Sequence, residues 1–381
     1  MTNSVKYRKL TLSEGRMLAY STKIDLSLEN DTLKIKINMP NENMQTDYAN
    51  FEAIAFCAKS AVEKLKVILS YTDLYWNGKD WGKNPIDFTI KNRVGQGEKI
   101  GAKYCHYARF LYRAWKMKEL YNDWFSVSDT NKTEVVKFGD LYQNALNSEN
   151  EKLFFSDPKK KSDIKDVTEI TENHLEKWFV EYTKKSNNDK NIQHKQKTWG
   201  EKLLGVELHD QFPCGVFYGN NYNEAVHGMN RVFNTGYFDL WGFNKKEDTY
   251  YLCELKKKGN EKLGIVSELF FYSCLMKDLI RIATSKEFKD HFKKKRKMYR
   301  GFNEFVDGAR INAAVKAFFL IPDFHSFIKG KQEDETKNNF KKLLAVMNTR
   351  NDSVKFDYIW FDQDEIVGNN PADFIDELKK R

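Results

Sequence analysis

The alternation of apolar and polar residues near the start of the chain predicts β-structure. Apolar residues occupy every second position from Lys23 to Leu28 and again from Leu33 to Ile37, on either side of the polar turn Glu29-Asn30-Asp31. A period of two places alternate side chains on the same face of a strand. The pattern therefore predicts a β-hairpin with one buried face.

Two longer segments have a helical period. Between about Asp47 and Tyr71, and again between about Ala102 and Trp124, apolar residues recur every three or four positions. This spacing predicts two amphipathic helices. The aromatic rings of the second segment follow one stripe among arginines and lysines, so packing into a core is favoured over stacking on nucleic-acid bases.

A polar stretch then divides the chain. From about Ser126 to Asp166 the sequence is rich in Ser, Asn, Asp and Lys. Such a composition indicates a linker, and a chain of 381 residues is long enough for two domains. We expect an N-terminal α+β domain over residues 1–150, with a role in recognition or regulation, and a second domain over residues 151–381.

The second domain begins with a helix that carries an acid. Glu172, Leu175, Phe179 and Tyr182 are spaced so that they share one helical face. That face starts with a carboxylate and continues with apolar side chains. The spacing predicts that the helix turns Glu172 toward the core, although Glu176, one turn later, is an alternative for the same position.

Two strands with buried carboxylates follow. The segments from Gly236 to Phe243 and from Thr249 to Lys256 are mostly apolar and are separated by a short polar turn, which predicts an antiparallel hairpin. Asp239 and Glu254 interrupt these strands, and an uncompensated buried carboxylate costs several kcal/mol unless it is paired or holds a cation. Glu254 and Lys256 lie two positions apart and therefore share a face.

Further strands complete a sheet. Val315 to Pro322 and Val354 to Phe361 are predicted strands, and they flank a predicted helix near Asn338 to Met347. Together with the hairpin they form a mixed β-sheet packed between helices. The expected fold class is α/β (α+β), with a separate N-terminal α+β domain.

Charge and cysteine content narrow the class of protein. The net charge is +9, and eight lysines and arginines lie in the window from Lys286 to Arg300, which indicates either a solvated face or a patch that contacts phosphates.

The five cysteines form no C-x-x-C pair, which predicts buried reduced thiols. The amino terminus has no apolar run after its charges, and no segment is apolar enough to span a bilayer, so we expect a cytoplasmic protein without membrane contacts.

One set of residues has a familiar order. Asp239 is followed fifteen residues later by Glu254-Leu255-Lys256, on two consecutive strands behind the helix that bears Glu172. This order resembles the PD-(D/E)XK nuclease superfamily, the restriction-endonuclease-like fold, over about residues 165–290. Glu268 to Tyr272 occupies the place where many members carry Gln-x-x-x-Tyr, with glutamate here in place of glutamine. Phe238 stands before Asp239 where proline is frequent.

The resemblance implies a set of roles. Asp239, Glu254 and the backbone carbonyl of Leu255 would hold Mg²⁺, for which Mn²⁺ could substitute, and oxygen ligands of this kind suit such an ion. Lys256 would orient or deprotonate the attacking water. Glu172 would support the site or help to hold a second ion, and Glu268 would have an orienting role.

The expected function is phosphodiester hydrolysis. The resemblance implies a metal-dependent nuclease, and by analogy a DNA endonuclease of restriction or antiphage-defence type, with a second copy or a partner protein bound through the N-terminal domain. The alternative is a catalytically silent nucleic-acid-binding or assembly protein that retains the fold. RNA is not separated from DNA, because the phosphate is common to both. A purely structural role is also open for these residues. Asp239 would then be an acid at the end of a strand, Glu254 and Lys256 would form a surface ion pair, and Glu172 and Glu268 would be acids favoured at the starts of helices.

Overall fold

Two β-sheets of mixed strand direction organise the chain. The computed structural model describes residues 7–12, 16–44, 49–73, 98–149, 152–156, 169–188, 204–227, 230–233, 236–259, 263–293, 301–325, 327–349, 354–368 and 374. The strands are β1 (Tyr7–Thr11), β2 (Met17–Ser21), β3 (Ile24–Glu29), β4 (Thr32–Ile37), β5 (Lys66–Tyr71), β6 (Phe125–Val127), β7 (Lys152–Phe155), β8 (His209–Pro213), β9 (Val216–Gly219), β10 (Tyr237–Asn244), β11 (Thr249–Leu255), β12 (Ala314–Ile321) and β13 (Val354–Trp360). The helices are α1 (Phe51–Ala61), α2 (Glu98–Leu120), α3 (Asp129–Asn147), α4 (Glu172–Asn188), α5 (Gly264–Thr284), α6 (Lys286–Lys293), α7 (Phe302–Gly308), α8 (Glu333–Asn348) and α9 (Gln363–Val367), with a π-helical turn at Asn223–His227.

The N-terminal sheet has the order β3-β4-β5-β6. The predicted hairpin of β3 and β4 is confirmed, and Asn30 and Asp31 in its turn take the left-handed backbone conformation, with φ of 47° and 59°. Asn and Asp tolerate this region better than most residues. Strands β5 and β6 then run parallel to β4, and α1 and α2 make the connections.

The prediction of one long helix between Asp47 and Tyr71 is wrong for the second half of that segment. Helix α1 ends at Ala61, and the segment from Lys66 onward is strand β5, with alternate residues buried. Leu65, Val67 and Leu69 are two residues apart, so they continue a strand pattern as well as an approximate helical one. Pairing with strands on both sides decides between the two periods.

The polar segment after Ser126 is not a linker where the structure describes it. It contains α3 and β7, and β7 pairs with β9 from the second half. Val135, Phe138 and Tyr142 bury one face of α3, while the polar residues cover the other. An average over the composition hides this amphipathic pattern. Residues 157–168 lie outside the described part of the chain.

The C-terminal sheet is mixed and flanked by helices, as predicted. Its order is β13-β12-β11-β10-β8, with β10 antiparallel to both neighbours and β11, β12 and β13 parallel. Leu175 and Phe179 of α4 pack against Cys253 and Leu255 on one face. Helix α5 covers the other face, so β10 and β11 lie in the middle of a layered α/β arrangement.

Residues on both sides of the expected domain boundary share one hydrophobic core. The ring centroids of Phe56 and Phe270 are 5.5 Å apart, and those of Tyr112 and Phe271 are 5.7 Å apart. The first half of the chain therefore packs directly on α5. The division into domains at about residue 150 stays a prediction.

All cysteines are buried free thiols, as predicted. In the described part of the chain, no helix combines the length and apolar character that crossing a membrane requires.

A buried acid lies in the N-terminal half. Glu134 on α3 accepts hydrogen bonds from the hydroxyls of Tyr71, at 2.6 Å, and Tyr107, at 2.8 Å. Burial raises the pKa of Glu134 to about 7, against the lowering effect of the two hydroxyls. Nearby Asp73 raises it further.

Glu134 should make stability fall as the pH rises. Between its ordinary pKa of 4.5 and its folded value of about 7, the folded chain binds a proton that the unfolded chain has released. The free energy of unfolding should therefore decrease across this interval, by up to about 3 kcal/mol, and level off above it. Urea unfolding at about pH 5 and about pH 8 measures the difference, which Glu134→Gln should reduce and Glu333→Gln, on the exposed start of α8, should not. An equal pH dependence in wild type and Glu134→Gln would contradict this assignment.

Candidate active site

Asp239 and Glu254 lie on paired strands at the centre of the C-terminal sheet. Leu240 pairs with Cys253, and continuing this register by one residue places Asp239 opposite Glu254. Opposite residues of an antiparallel pair present their side chains on the same face. Oδ2 of Asp239 accepts a hydrogen bond of 2.9 Å from the backbone N–H of Leu255. The predicted acids and the backbone of Leu255 therefore meet at one place.

Lys256 lies at the centre of the acids. Its Nζ is 2.7 Å from Oε1 of Glu254, 3.3 Å from Oε2 of Glu268 and 4.0 Å from Oε2 of Glu172. Glu254 and Glu268 are buried, and only 8% of Lys256 is exposed. Because both residues are buried, Glu254 and Lys256 do not form a surface ion pair.

Helix α4 presents two acids to the site. Glu172, its first residue, lines the cavity beside Lys256. Glu176, one turn later, is buried and accepts hydrogen bonds from Nε2 of Gln211 at 2.8 and 2.7 Å. Of the two acids considered for this helix, Glu172 therefore lines the cavity, and Glu176 is held by Gln211 close to Asp239.

Gln211 has an unusual backbone. Its φ is +52°, a conformation that costs a residue other than glycine roughly 1–3 kcal/mol and that clusters at functional sites. In the register of β8 with β10, Gln211 falls opposite Asp239. Its side chain fixes the carboxylate of Glu176, and no sequence motif indicated this role.

Helix α5 brings Tyr272 to the cavity and Glu268 to Lys256. They are four residues apart and share a helical face, and the ring of Tyr272 lies 5.4 Å from that of Phe238. The helix begins at Gly264, so Glu268 lies in the second turn, and an attraction to the helix start does not explain its position. Oε1 of Glu268 is buried and has no hydrogen-bond partner among the described residues.

Acidic groups outnumber basic groups around Lys256. Burial raises the pKa of Asp239, and Glu176 raises it further, while Lys256 lowers it. Burial also raises the pKa of Glu254 well above its ordinary value, with Asp239 as the next cause. Burial alone would lower the pKa of Lys256, but Glu254, Glu268, Asp239 and Glu172 together hold it well above its usual range. Four carboxylates thus act on one ammonium group.

The donor set fits a hard divalent cation. Mg²⁺ prefers oxygen ligands and keeps several waters, so two carboxylates and a carbonyl suffice from the protein. A cation beside Asp239 and Glu254 would offset the surplus negative charge, and the unpartnered Oε1 of Glu268 adds a further oxygen nearby. In the described part of the chain, no group of three or more His, Cys, Asp or Glu side chains forms a metal site, and the proposed set contains only two such side chains.

Glu172, Asp239 and Glu254, with Lys256 between them, line a polar cavity of about 420 Å³ and are called its acidic wall. The same cavity is lined by Asn43, His106 and Arg109 from the N-terminal half, together with Arg231, and these four residues are called its basic wall. His106 and Arg109 lie in a segment that was predicted to be helical, but neither residue was predicted to have a functional role. Their three-residue spacing on α2 was the available signal, since it places two polar side chains on one face among aromatic rings.

No protein-family model, curated protein or solved structure matches this chain. What it does is therefore inferred from the geometry and chemistry of the cavity.

Proposed function

We propose that this chain is a metal-dependent nuclease that hydrolyses phosphodiester bonds. The observation that carries the proposal is the meeting of Asp239, Glu254 and Lys256 on one wall of a polar cavity, with two further acids beside them. Buried carboxylates next to an ammonium group, facing a cavity, are typical of catalytic sites.

The order of the elements supports a restriction-endonuclease-like core. Helix α4 with its acid precedes the hairpin of β10 and β11, which carries Asp239 and Glu254. Helix α5 follows, and β12 then joins the sheet parallel to β11. The order of helix, hairpin and helix is the one on which the resemblance to PD-(D/E)XK nucleases rests, and β12 is one of the later strands expected to complete the sheet.

Each residue has a distinct task in the proposed reaction. Asp239, Glu254 and the carbonyl of Leu255 would hold Mg²⁺, which supplies Lewis-acid activation of water and relief of phosphate charge when bound. Lys256 would orient the attacking water and place a positive charge beside the phosphate. Glu268, 3.3 Å from Lys256, would hold the ammonium group in position. Glu172 would limit where that group can move.

DNA is the proposed substrate, by analogy with restriction and antiphage-defence nucleases. The net charge of +9 is consistent with a polyanionic partner. Lys286 and Lys289 on α6 belong to the basic window, and residues 294–300 of that window lie outside the described part of the chain. A cytoplasmic location and binding of a second copy or a partner through the N-terminal half belong to the same proposal.

Incubation of the full chain with supercoiled plasmid, linear DNA and RNA tests the proposal. With Mg²⁺ or Mn²⁺ we expect cleavage products, and with a chelator we expect none. Salt-dependent binding of DNA without hydrolysis in any of these metals would instead support the silent nucleic-acid-binding alternative.

A further inference from the structure

The cavity has a basic wall as well as an acidic one. Arg109 and His106 extend from α2, in the N-terminal half, and Arg231 follows the π-helical turn. These residues come from elements outside the hairpin and helices that carry the acids. Arg109 and His106, unlike Arg231, also belong to a part of the chain to which the nuclease resemblance does not extend.

Arg109 is fixed at the edge of the cavity. It is 6% exposed, and its guanidinium carbon lies 5.6 Å from the centroid of the Phe271 ring. A Cβ atom at Gly236 would lie 3.3 Å from Nη2 of Arg109 and 3.4 Å from the hydroxyl of Tyr272. The guanidinium and the Tyr272 hydroxyl thus both lie close to Gly236, where a side chain would crowd them. An arginine packed on a ring loses little further freedom when it binds an anion.

Arg231 is also held in place. Its backbone forms a β-bridge with Phe217, and its guanidinium lies 6.0 Å from the centroid of that ring. Nε of Arg231 is buried and has no hydrogen-bond partner in the described part of the chain. Such an unsatisfied donor costs roughly 1–3 kcal/mol unless a ligand accepts a hydrogen bond from it.

His106 adds a neutral polar group to the same wall. Burial, together with Arg109 and Arg113, lowers its pKa to about 4. Its Nδ1 is buried and has no hydrogen-bond partner among the residues that the structure describes. The wall thus combines two guanidinium groups with an uncharged ring, a set that suits an anion with several acceptor oxygens.

We propose that Arg109 and Arg231 bind a phosphate of the nucleic-acid strand and hold it against the acidic wall. This inference rests on the proposed function for the identity of the anion. Guanidinium groups match the oxygens of a phosphate in a bidentate geometry, and a metal ion held by Asp239 and Glu254, which line the same cavity, would bind the remaining oxygens. Substrate binding then requires the N-terminal half, because Arg109 belongs to it.

Binding of a short fluorescent oligonucleotide, with Ca²⁺ in place of Mg²⁺, tests the proposal in the full-length chain. Arg109→Gln and Arg231→Gln should each raise Kd roughly tenfold or more, as expected for a lost hydrogen bond to a charged group. Each should also lower the slope of log Kd against log salt by about one, which a purely structural residue would not do. Arg231→Lys should restore the slope but only part of the affinity.

Arg281→Gln is the matched control, since Arg281 is exposed near the end of α5 and the charge change is the same. It should leave both Kd and slope unchanged. Because Arg109 packs in the core, the thermal unfolding of each variant is also measured. If Arg109→Gln unfolds, the variants of the half-buried Arg231 still test the proposal. Values for Arg231→Gln equal to those of Arg281→Gln would overturn the proposal.

The two proposals fail separately. If wild type binds the oligonucleotide through these arginines but never hydrolyses DNA or RNA, the phosphate site stands and the nuclease proposal falls. If wild type hydrolyses its substrate and both arginine variants keep its KM, the nuclease proposal stands and the phosphate site falls.

Discussion

Replacing Asp239 with asparagine should lower the rate of metal-dependent hydrolysis by roughly a thousandfold or more, because it removes one of two charged ligands of the proposed ion. The amide oxygen can still accept the hydrogen bond from the N–H of Leu255. Because Glu176 and Glu254 lie near Asp239, removal of its charge relieves repulsion. We therefore expect the variant to unfold at an equal or higher temperature than wild type while losing its activity.

Lys256→Ala should lower the same rate roughly 10²- to 10⁴-fold, the usual contribution of a positioned group that acts on the attacking water. Lys316→Ala is the matched control, since Lys316 lies on the neighbouring strand β12 and forms an exposed pair with Glu247. It should leave the rate unchanged. Plasmid cleavage measured over time distinguishes the variants, and full activity in both Asp239→Asn and Lys256→Ala would remove the proposed site.

The second large effect concerns stability. Glu52 of α1 and Arg113 of α2 are almost fully buried, with Nε of Arg113 at 3.2 Å from Oε1 of Glu52. Arg113 also donates to the carbonyl of Ala49 at 2.8 Å, and Ser267 of α5 donates to Glu52 at 3.0 Å. Burial raises the pKa of Glu52 to about 7 even with Arg113 beside it. Each charge thus depends on its partner to remain in the core.

Removing one partner should therefore be costly. Glu52→Ala or Arg113→Ala should reduce the free energy of unfolding by about 3–5 kcal/mol, because each leaves an uncompensated buried group. Activity should fall as well, since Ser267 directly precedes Glu268 in α5. Urea unfolding measures the first effect and plasmid cleavage the second.

Two controls define this prediction. Lys34→Ala breaks an exposed ion pair with Glu29 on β3 and β4 and should cost less than about 1 kcal/mol. The double variant Glu52→Leu with Arg113→Met removes both charges and should be more stable than either single variant. Single variants that cost no more than Lys34→Ala would show that the pair does not hold α1, α2 and α5 together.

The acidic wall could be predicted from the sequence because its residues break a local rule. Asp239 and Glu254 stand within apolar strands, where a carboxylate is costly, and the turn between the strands fixes their pairing. Local patterns also predicted β3, β4 and the strands and helix after α5. In each of these segments the spacing of the apolar residues fitted only one type of secondary structure.

The basic wall could not be predicted in the same way. Arg109 and His106 reach the same cavity as Glu254 through packing between segments more than a hundred residues apart, and their shared helical face on α2 does not by itself indicate what they face. The error over β5 has a related cause, since its pairing with β4 and β6 overrides an ambiguous period. Helix α3 was not predicted because the average composition of its segment is polar, although its apolar residues recur with a helical period.

The position of a divalent cation tests the central claim most directly. Crystals of the full chain soaked in Mn²⁺ should show an anomalous peak for one ion. Carboxylate oxygens of both Asp239 and Glu254 and the carbonyl oxygen of Leu255 should coordinate this ion at roughly 2.0–2.2 Å. The same soak of Asp239→Asn crystals should give a weak peak or none. A cation elsewhere in wild type, with Lys256 still bonded to Glu254, would contradict the assignment of this cavity as a metal-dependent active site.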